Sequence, residues 1–230
     1  MQRQTAVLLF TRNASEEASA KVFAEHFRAN ELIAGKLISH TVGIIKKSGL
    51  PCFIIDSAHQ HGNNFGERFT DAIEQVFVSG FENVIVIGND CPQLSSTDLQ
   101  NAAHALESVN CVLGPATDGG FYLFGIQKHA FNKQFLLSAP WESGSLLNFI
   151  ITYLNENNIS NYLTELKGDI DSAKDLSEIL RIKQISISGL IIFIQSVLSS
   201  FYKTTTLRLF NNFRSFLFSS GLRAPPVIIC

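Results

Sequence analysis

Short apolar segments alternate with longer amphipathic segments along most of the chain. The short segments have the length of buried strands, whereas the longer ones repeat apolar residues at helical spacing, as Phe23, Phe27 and Ile33 do. Strands that alternate with helices favour a mostly parallel sheet covered on both faces, a three-layer α/β/α sandwich. The predicted strands are 6–11, 51–55, 83–87 and 111–113, and the predicted helices are 16–28, 31–48, 67–78 and 97–108.

Local signals support two of the predicted helix starts. Ser95 precedes Asp98 by three residues, and Ser172 precedes Asp175 by the same spacing. A serine followed three residues later by an acid is typical of a capping box, in which each side chain bonds the other residue's backbone. Helices are therefore expected to begin directly after Ser95 and Ser172.

The turns that follow the predicted strands are polar and rich in glycine. Strand 83–87 leads into Gly-Asn-Asp-Cys-Pro at 88–92, and strand 111–113 leads into Gly-Pro-Ala-Thr-Asp-Gly-Gly at 114–120. Ligands of doubly wound sheets bind beyond the carboxyl ends of the strands, so these turns are the expected location of a site.

The composition of the chain argues against several classes of protein. Of the 230 residues, 46% are hydrophobic and 17% charged, and the net charge of −2 offers no basic surface for nucleic acid. The four cysteines form no Cys-x-x-Cys pair, which argues against a zinc site or a disulfide framework. The apolar run after the N-terminus is too short for a signal peptide, so we expect a cytoplasmic protein.

Two acids in the polar turns are candidates for chemistry. Asp90 follows a buried strand and is therefore expected at the edge of the sheet. There it would either bind a divalent cation that neutralises a pyrophosphate or serve only as a turn residue. Asp118 precedes Gly119 and Gly120. These glycines would let the backbone approach a ligand closely, or the three residues would simply form an ordinary β-turn.

Two further segments are candidates. Residues 60–68 offer amides, two glycines and a guanidinium for a base edge or a phosphate, or form a plain loop with a helix start at Asn64 or Gly66. Asp169 and Asp171 lie two residues apart in an extended segment, so only one of them is expected to face a site. The sequence contains neither a phosphate-binding P-loop motif nor Gly-x-Gly-x-x-Gly after the first strand.

Together these segments resemble a bacterial family of uncharacterised GT-A-fold proteins of the glycosyltransferase-like, transferase 1 type. The family's motifs look like Q-x-G-x-x-(L/F)-G-E-R, I-G-(T/N)-D-x-P-x-L, G-P-(A/S)-x-D-G-G-(Y/F)-Y-L-x-G and D-(I/V)-D-(T/S)-x-x-D-L. Here they stand at 60–68, 87–94, 114–125 and 169–176, in the same order. The resemblance covers about residues 5–183 and implies a nucleotide-diphospho-sugar transferase-like fold.

The resemblance also implies a donor and a cofactor. Similar proteins use a nucleotide sugar or a nucleoside triphosphate, with Mg²⁺ or Mn²⁺ bridging its phosphates. Asp90 and Asp171 match metal-binding acids, and Asp118 is placed to orient or deprotonate an acceptor hydroxyl. The nucleotide- and substrate-binding residues implied are Arg12, Gln60, Gly62, Gly66, Arg68, Asn89, Gly119 and Gly120.

One loop departs from the family pattern. Related proteins carry P-x-x-G-x-x-K-T-R-L after the first strand, but here the glycine is missing and Glu16 and Glu17 have entered. Arg12 and Lys21 remain as positive charges for a phosphate. Glycosyl transfer and nucleotidyl transfer therefore stay open, together with a catalytically silent nucleotide-binding or scaffold protein.

The C-terminal part of the chain has a different character. We divide the chain into a GT-A-like domain at 1–183 and a basic, apolar helical extension at 184–230. Residues 185–230 contain four basic and no acidic residues, with Leu207, Phe210, Phe213 and Leu217 at helical spacing. Such a segment packs on the domain, forms a homodimer contact, or lies on the inner face of the membrane.

Overall fold

The computed structural model describes residues 5–181 and 187–201. Strands and helices alternate along much of the described chain, with a short 3₁₀ turn at Lys128–Ala130. The strands are β1 (Thr5–Phe10), β2 (Cys52–Ile55), β3 (Asn83–Ile87), β4 (Cys111–Pro115), β5 (Phe121–Gln127) and β6 (Asn161–Leu163). The helices are α1 (Ala14–Ala20), α2 (Phe27–Ser48), α3 (Phe65–Val78), α4 (Ser96–Ala105), α5 (Lys133–Leu137), α6 (Leu146–Glu156), α7 (Ala173–Ile179) and α8 (188–201).

The six strands form one sheet in the order β2-β1-β3-β5-β4-β6. β1 pairs in parallel with β2 and β3, β4 pairs in parallel with β6, and β5 runs antiparallel between β3 and β4. The predicted mostly parallel α/β fold is confirmed. The amino end of β5 consequently lies at the same edge as the carboxyl ends of β1 and β3.

Side chains that alternate along the strands separate into two cores. Ala6 and Leu8 of β1 pack with α3 and α6 on one face, whereas Val7 and Leu9 pack with α2 and α4 on the other. Because β1 is buried on both faces, its sequence is a continuous apolar run instead of an alternating one. The predicted capping boxes at Ser95 and Ser172 are both present, each closed by the acid three residues later.

The predicted helix 16–28 is interrupted. α1 ends at Ala20, and α2 begins only at Phe27. Asn30 stabilises the loop between the two helices. Its buried side-chain amide accepts hydrogen bonds from the N–H groups of Phe23 and Ala24 and donates to the carbonyls of Ala18 and Lys21. These bonds replace the helical ones that the loop gives up.

A third apolar cluster joins α1 and α2 to the C-terminal helices. Ile187, Leu190 and Ile194 are buried there against residues of α2 such as Ile33 and Leu37. The predicted helical spacing at Leu207–Leu217 lies outside the described residues, and the division at residue 183 stays a prediction. Over 5–181 and 187–201, no helix combines the length and apolarity needed to cross a bilayer.

Candidate active site

A cavity of about 570 Å³ opens at the edge of the sheet where β1 and β3 end. Leu9 of β1 lies opposite Ile87 of β3, so the polar segments that follow these strands leave the sheet side by side. Phe121, at the amino end of antiparallel β5, lines the same cavity. The cavity therefore lies where the topology predicts a ligand.

One side of the cavity, which we call the charged wall, consists of Glu17, Lys21, Asp90, Asp169 and Asp171. The Lys21 ammonium lies 2.8 Å from Asp90 Oδ2, 2.7 Å from Asp171 Oδ1 and 3.2 Å from Glu17 Oε1. Burial lowers the pKa of Lys21, but the charges of Asp90 and Glu17 and the hydrogen bonds that the ammonium donates to Asp171 and Asp90 outweigh burial and hold that pKa above its ordinary value. Three carboxylates from three segments thus converge on one cation.

Backbone contacts hold these segments together independently of the charges. The N–H of Ile170 donates to the carbonyl of Asp90 over 2.8 Å, and Val22 forms an isolated parallel bridge with Ser172. The segment around 170 is therefore fixed to the β3 turn and to the loop after α1. This explains how acids that are 81 residues apart (90 and 171) face the same cation.

Asn30 positions Lys21 from behind. Its side-chain amide donates to the Lys21 carbonyl over 2.7 Å, and the residue is only 3% exposed. Sequence reasoning missed Asn30, although a signal was present: it is a polar residue on the buried stripe that continues through Ile33, Ala34 and Leu37.

Glu17 is one of the two acids that depart from the family's phosphate-loop pattern, and the structure shows it buried and paired with two cations. Its side chain is 3% exposed and pairs with Lys21 and, at 3.3 Å, with Arg12. Asn89 donates to Glu17 Oε1 over 3.4 Å and accepts from the Thr11 hydroxyl over 2.9 Å. The extra acid is therefore part of the ion-pair network.

Asp169 and Asp171 both line the cavity, so the expectation that only one of them faces it is wrong. The alternation of a regular strand does not apply, because the segment between β6 and α7 is not a strand and pairs with parallel neighbours only at the isolated bridges of Lys167 and Ser172. Asp169 Oδ1 is buried without a hydrogen-bond partner among the described residues. Burial, followed by the charges of Asp90, Asp118 and Asp171, raises the pKa of Asp169 to about 8.

The opposite side, which we call the aromatic wall, is made by Phe65, Phe69, Phe121 and Trp141. The Trp141 ring lies 5.0 Å from Phe65 and 4.8 Å from Phe69, centroid to centroid. Arg68 also lines the cavity from α3, and its guanidinium forms no ion pair or hydrogen bond with the described residues. One free guanidinium thus lies beside a surface that suits a ring or an apolar group.

A model of a family of uncharacterised proteins conserved in bacteria (DUF2064) matches residues 53–143. Three of the four motifs lie inside that match. The resemblance to a GT-A-like family of unknown function is confirmed. No protein of curated function matches the chain in sequence.

Solved structures share the fold at low sequence identity. A protein of Desulfovibrio desulfuricans G20, assigned as a nucleotide-diphospho-sugar transferase, aligns with a TM-score of 0.77 at 18% identity, over 87% of this chain and 98% of that chain. Rv0371c of Mycobacterium tuberculosis H37Rv aligns with a TM-score of 0.52 at 10% identity, over 79% and 100%. Its complex with manganese aligns with a TM-score of 0.42 at 10% identity, over 76% and 97%. The first two likenesses, with TM-scores above 0.5, show that this chain shares the fold of those proteins.

The structure brings most of the sequence-predicted residues to the cavity. Gly62, Gly66 and Gly119 do not line it. A Cβ at Gly66 would lie 2.7 Å from Trp141 Nε1, so this glycine allows α3 to pack against the tryptophan. Gly119 adopts a φ of 91° and packs closely on Gly144. The predicted residues that line the cavity are Arg12, Gln60, Arg68, Asn89, Asp90, Asp118, Gly120 and Asp171.

Gln60 and Asp118 reach the cavity in different ways. Gln60 Nε2 donates to the carbonyls of Thr11 and Ile55, so its amide group ties the β2–α3 loop to the end of β1. Asp118 is exposed, and its Oδ1 accepts from the N–H of Gly120 over 2.8 Å. That bond fixes the carboxylate and leaves Oδ2 for a ligand.

Proposed function

We propose that this protein is a metal-dependent transferase that uses a nucleotide sugar or a nucleoside triphosphate as donor. The observation that carries the proposal is the convergence of Asp90 and Asp171 on one cation at the end of the central strand β3. The donor's diphosphate and its metal would bind at the charged wall. The aromatic wall and Arg68 would receive the sugar or the acceptor.

The residues at the charged wall suit Mg²⁺ or Mn²⁺. Within the described part of the chain, no group of three or more His, Cys, Asp or Glu side chains is arranged to hold a metal. Mg²⁺ sites that act on phosphates usually need only one or two carboxylates, because phosphate oxygens and water complete the shell. Asp90 and Asp171 already hold an ammonium ion, and the unpartnered Oδ1 of Asp169 lies in the same acidic cluster.

Charge balance also favours a divalent cation. The acids Glu17, Asp90, Asp118, Glu142, Asp169 and Asp171 line the cavity, against the cations Arg12, Lys21 and Arg68. A diphosphate entering alone would meet an excess of carboxylates. When bound, a divalent cation would neutralise developing charge on the leaving pyrophosphate or nucleoside diphosphate.

The protein's own contribution to the chemistry is positioning. Arg12 and Arg68 would bind phosphate oxygens, since guanidinium groups match their geometry. The exposed oxygen of Asp118 would accept the proton of an acceptor hydroxyl while its other oxygen stays on the Gly120 N–H. Both glycosyl and nucleotidyl transfer to an acceptor hydroxyl are compatible with this arrangement.

A catalytically silent nucleotide-binding protein is the second candidate. Glu17 favours it, because this acid engages both Arg12 and Lys21, the two cations that the loop after β1 offers to a phosphate. Such a protein would bind a nucleotide and would turn over no donor.

The test is the melting temperature with nucleotides and nucleotide sugars, each with and without Mn²⁺. A ligand that binds only the folded state stabilises it by about 2.7 kcal/mol at a hundredfold excess over its Kd. We expect a Mn²⁺-dependent shift that Asp90→Asn abolishes. Asp118→Asn should keep the shift and lose turnover. The exposed control Glu156→Gln removes the same charge and should change neither.

The outcomes separate the candidates. A shift without turnover of any donor would favour the silent binding protein. If well-folded protein showed no shift with any donor, the transferase proposal would be abandoned. Full turnover by Asp118→Asn would remove that residue from the mechanism.

A further inference from the structure

Lys21 occupies the position between the two carboxylates that the proposed metal would need. Its Nζ lies 2.8 Å from Asp90 Oδ2 and 2.7 Å from Asp171 Oδ1. Mg²⁺ binds carboxylate oxygens at about 2.0–2.1 Å. A metal that bound both of these oxygens would lie close to the ammonium, and the two positive charges would repel each other. The ammonium and the metal therefore compete for this pair of oxygens.

The side chain of Lys21 is held by charge, whereas its backbone is held by Asn30. The ammonium ends a flexible four-carbon stem, and its side chain is 12% exposed. If metal displaced it, Glu17 would remain as a partner at 3.2 Å, but Arg12 already pairs with Glu17. The displaced ammonium would also stay close to a divalent cation, which repels it.

A diphosphate removes this obstacle. Its oxygens offer the displaced ammonium a new anionic partner and offer the metal the ligands that Asp90 and Asp171 do not supply. Conversely, a diphosphate without metal meets the acidic cluster of the charged wall. Each ligand thus lowers the cost of binding the other.

On the basis of the proposed function, we propose that Lys21 is an exchangeable internal cation: it holds Asp90 and Asp171 in the free protein and passes to the donor diphosphate when the divalent metal enters. Metal and donor consequently bind interdependently. The coupling is reciprocal, because a donor that tightens metal binding by a given factor is itself tightened by that factor.

The first experiment uses Mn²⁺ alone, followed by the loss of the free-ion signal in electron paramagnetic resonance. Lys21→Met keeps most of the apolar stem and removes the charge, so it should bind Mn²⁺ at least about tenfold more tightly than the natural protein. Lys21→Arg is the matched control, since it keeps a cation between the carboxylates and should show no such gain. The double variant Lys21→Met with Asp90→Asn should lose the gain.

A second measurement covers the case in which Lys21→Met does not fold. In this measurement Mn²⁺ binding is followed in the presence of UDP, which serves as a diphosphate probe. The amount of Mn²⁺ that UDP itself binds in buffer without protein is subtracted. UDP should tighten Mn²⁺ binding to the natural protein by at least about fivefold. Lys21→Arg should show a different factor, because its fork of donors holds carboxylates and phosphates differently.

Equal binding of Mn²⁺ alone to the natural protein and Lys21→Met would overturn the proposal, as would no binding to either. No effect of UDP on Mn²⁺ binding to the natural protein would overturn the coupling. Because the first experiment contains no nucleotide, it can succeed while the transferase proposal fails. In that case Lys21 competes with a metal, and no nucleotide in the panel shifts the melting temperature.

Discussion

The two walls of the cavity are built by different forces. The aromatic wall is formed by rings that continue the hydrophobic core beneath α3. The Phe69 ring centroid, for example, lies within 6.1 Å of the centroids of five other rings, those of Phe10, Phe65, Phe121, Phe124 and Trp141. The charged wall joins side chains from three distant segments through ion pairs around Lys21. Packed rings have one arrangement, whereas ion pairs can be exchanged for a ligand of matching charge. Substitutions in the aromatic wall should therefore mainly change stability, whereas substitutions in the charged wall should mainly change ligand binding.

The largest effect on stability is expected in the aromatic wall. Phe69→Ala removes a ring that is 4% exposed and should lower the free energy of unfolding by about 3–5 kcal/mol. Urea denaturation measures this change. Phe131→Ala, which truncates a partly buried ring away from the cavity, is the control and should cost less.

Ligand binding should survive this change. Because Phe69 packs against other rings and takes no part in the ion pairs around Lys21, folded Phe69→Ala should bind Mn²⁺ and UDP together within about threefold of the natural protein. A larger loss of binding would show that the aromatic wall shapes the charged wall, and the distinction between the two would be withdrawn.

The next effect concerns Asp169 and depends on pH. Its pKa is raised to about 8, first by burial and then by neighbouring acids. The unfolded chain loses this proton near the ordinary value of 3.8, whereas the folded chain keeps it until about pH 8. Stability should therefore fall as pH rises from about 4 to 8, and the whole penalty should be present above pH 8.

Asp169→Asn removes this titration and keeps the shape of the side chain. In the absence of divalent metal, the variant should be more stable than the natural protein by about 1–3 kcal/mol at pH 8.5, the scale of an unsatisfied buried polar group. The two proteins should converge near pH 4. Denaturation across this range tests the prediction, with Glu156→Gln as the exposed control. A difference that is constant with pH would mean that Asp169 keeps its ordinary pKa.

Much of the fold could be predicted from the sequence because it depends on local periodicity. The buried strands β1, β3 and β4 are runs of apolar residues, and the capping boxes at Ser95 and Ser172 use residues three apart. β6 was missed because three residues are too few for a periodic pattern to show. The break after α1 was missed because it depends on the tertiary contacts of one amide, Asn30.

The candidate site could be predicted only in part. Asp90, Asp118 and Asp171 stand in motifs at the ends of predicted elements, and all three line the cavity. The Lys21 network was not predictable from spacing, because it joins segments that are 69 residues (21 and 90) and 150 residues (21 and 171) apart. Likewise, only one of Asp169 and Asp171 was expected to face the site, because the strand rule was applied to a segment that is not a strand.

The smallest effect on stability is expected at Arg12, on the rim of the charged wall. Its side chain is 44% exposed, and its pair with Glu17 is 3.3 Å long. Exposed ion pairs contribute little, so Arg12→Ala should lower the free energy of unfolding by less than about 1 kcal/mol. The affinity for a nucleotide with Mn²⁺ should nevertheless fall by about tenfold, because a guanidinium–phosphate contact is lost. Arg28→Ala, exposed on α2, is the control for charge and should change neither quantity. A large loss of stability with unchanged nucleotide affinity would instead make Arg12 the partner that keeps Glu17 buried, and Lys21 would be the only cation of this loop left to meet a phosphate.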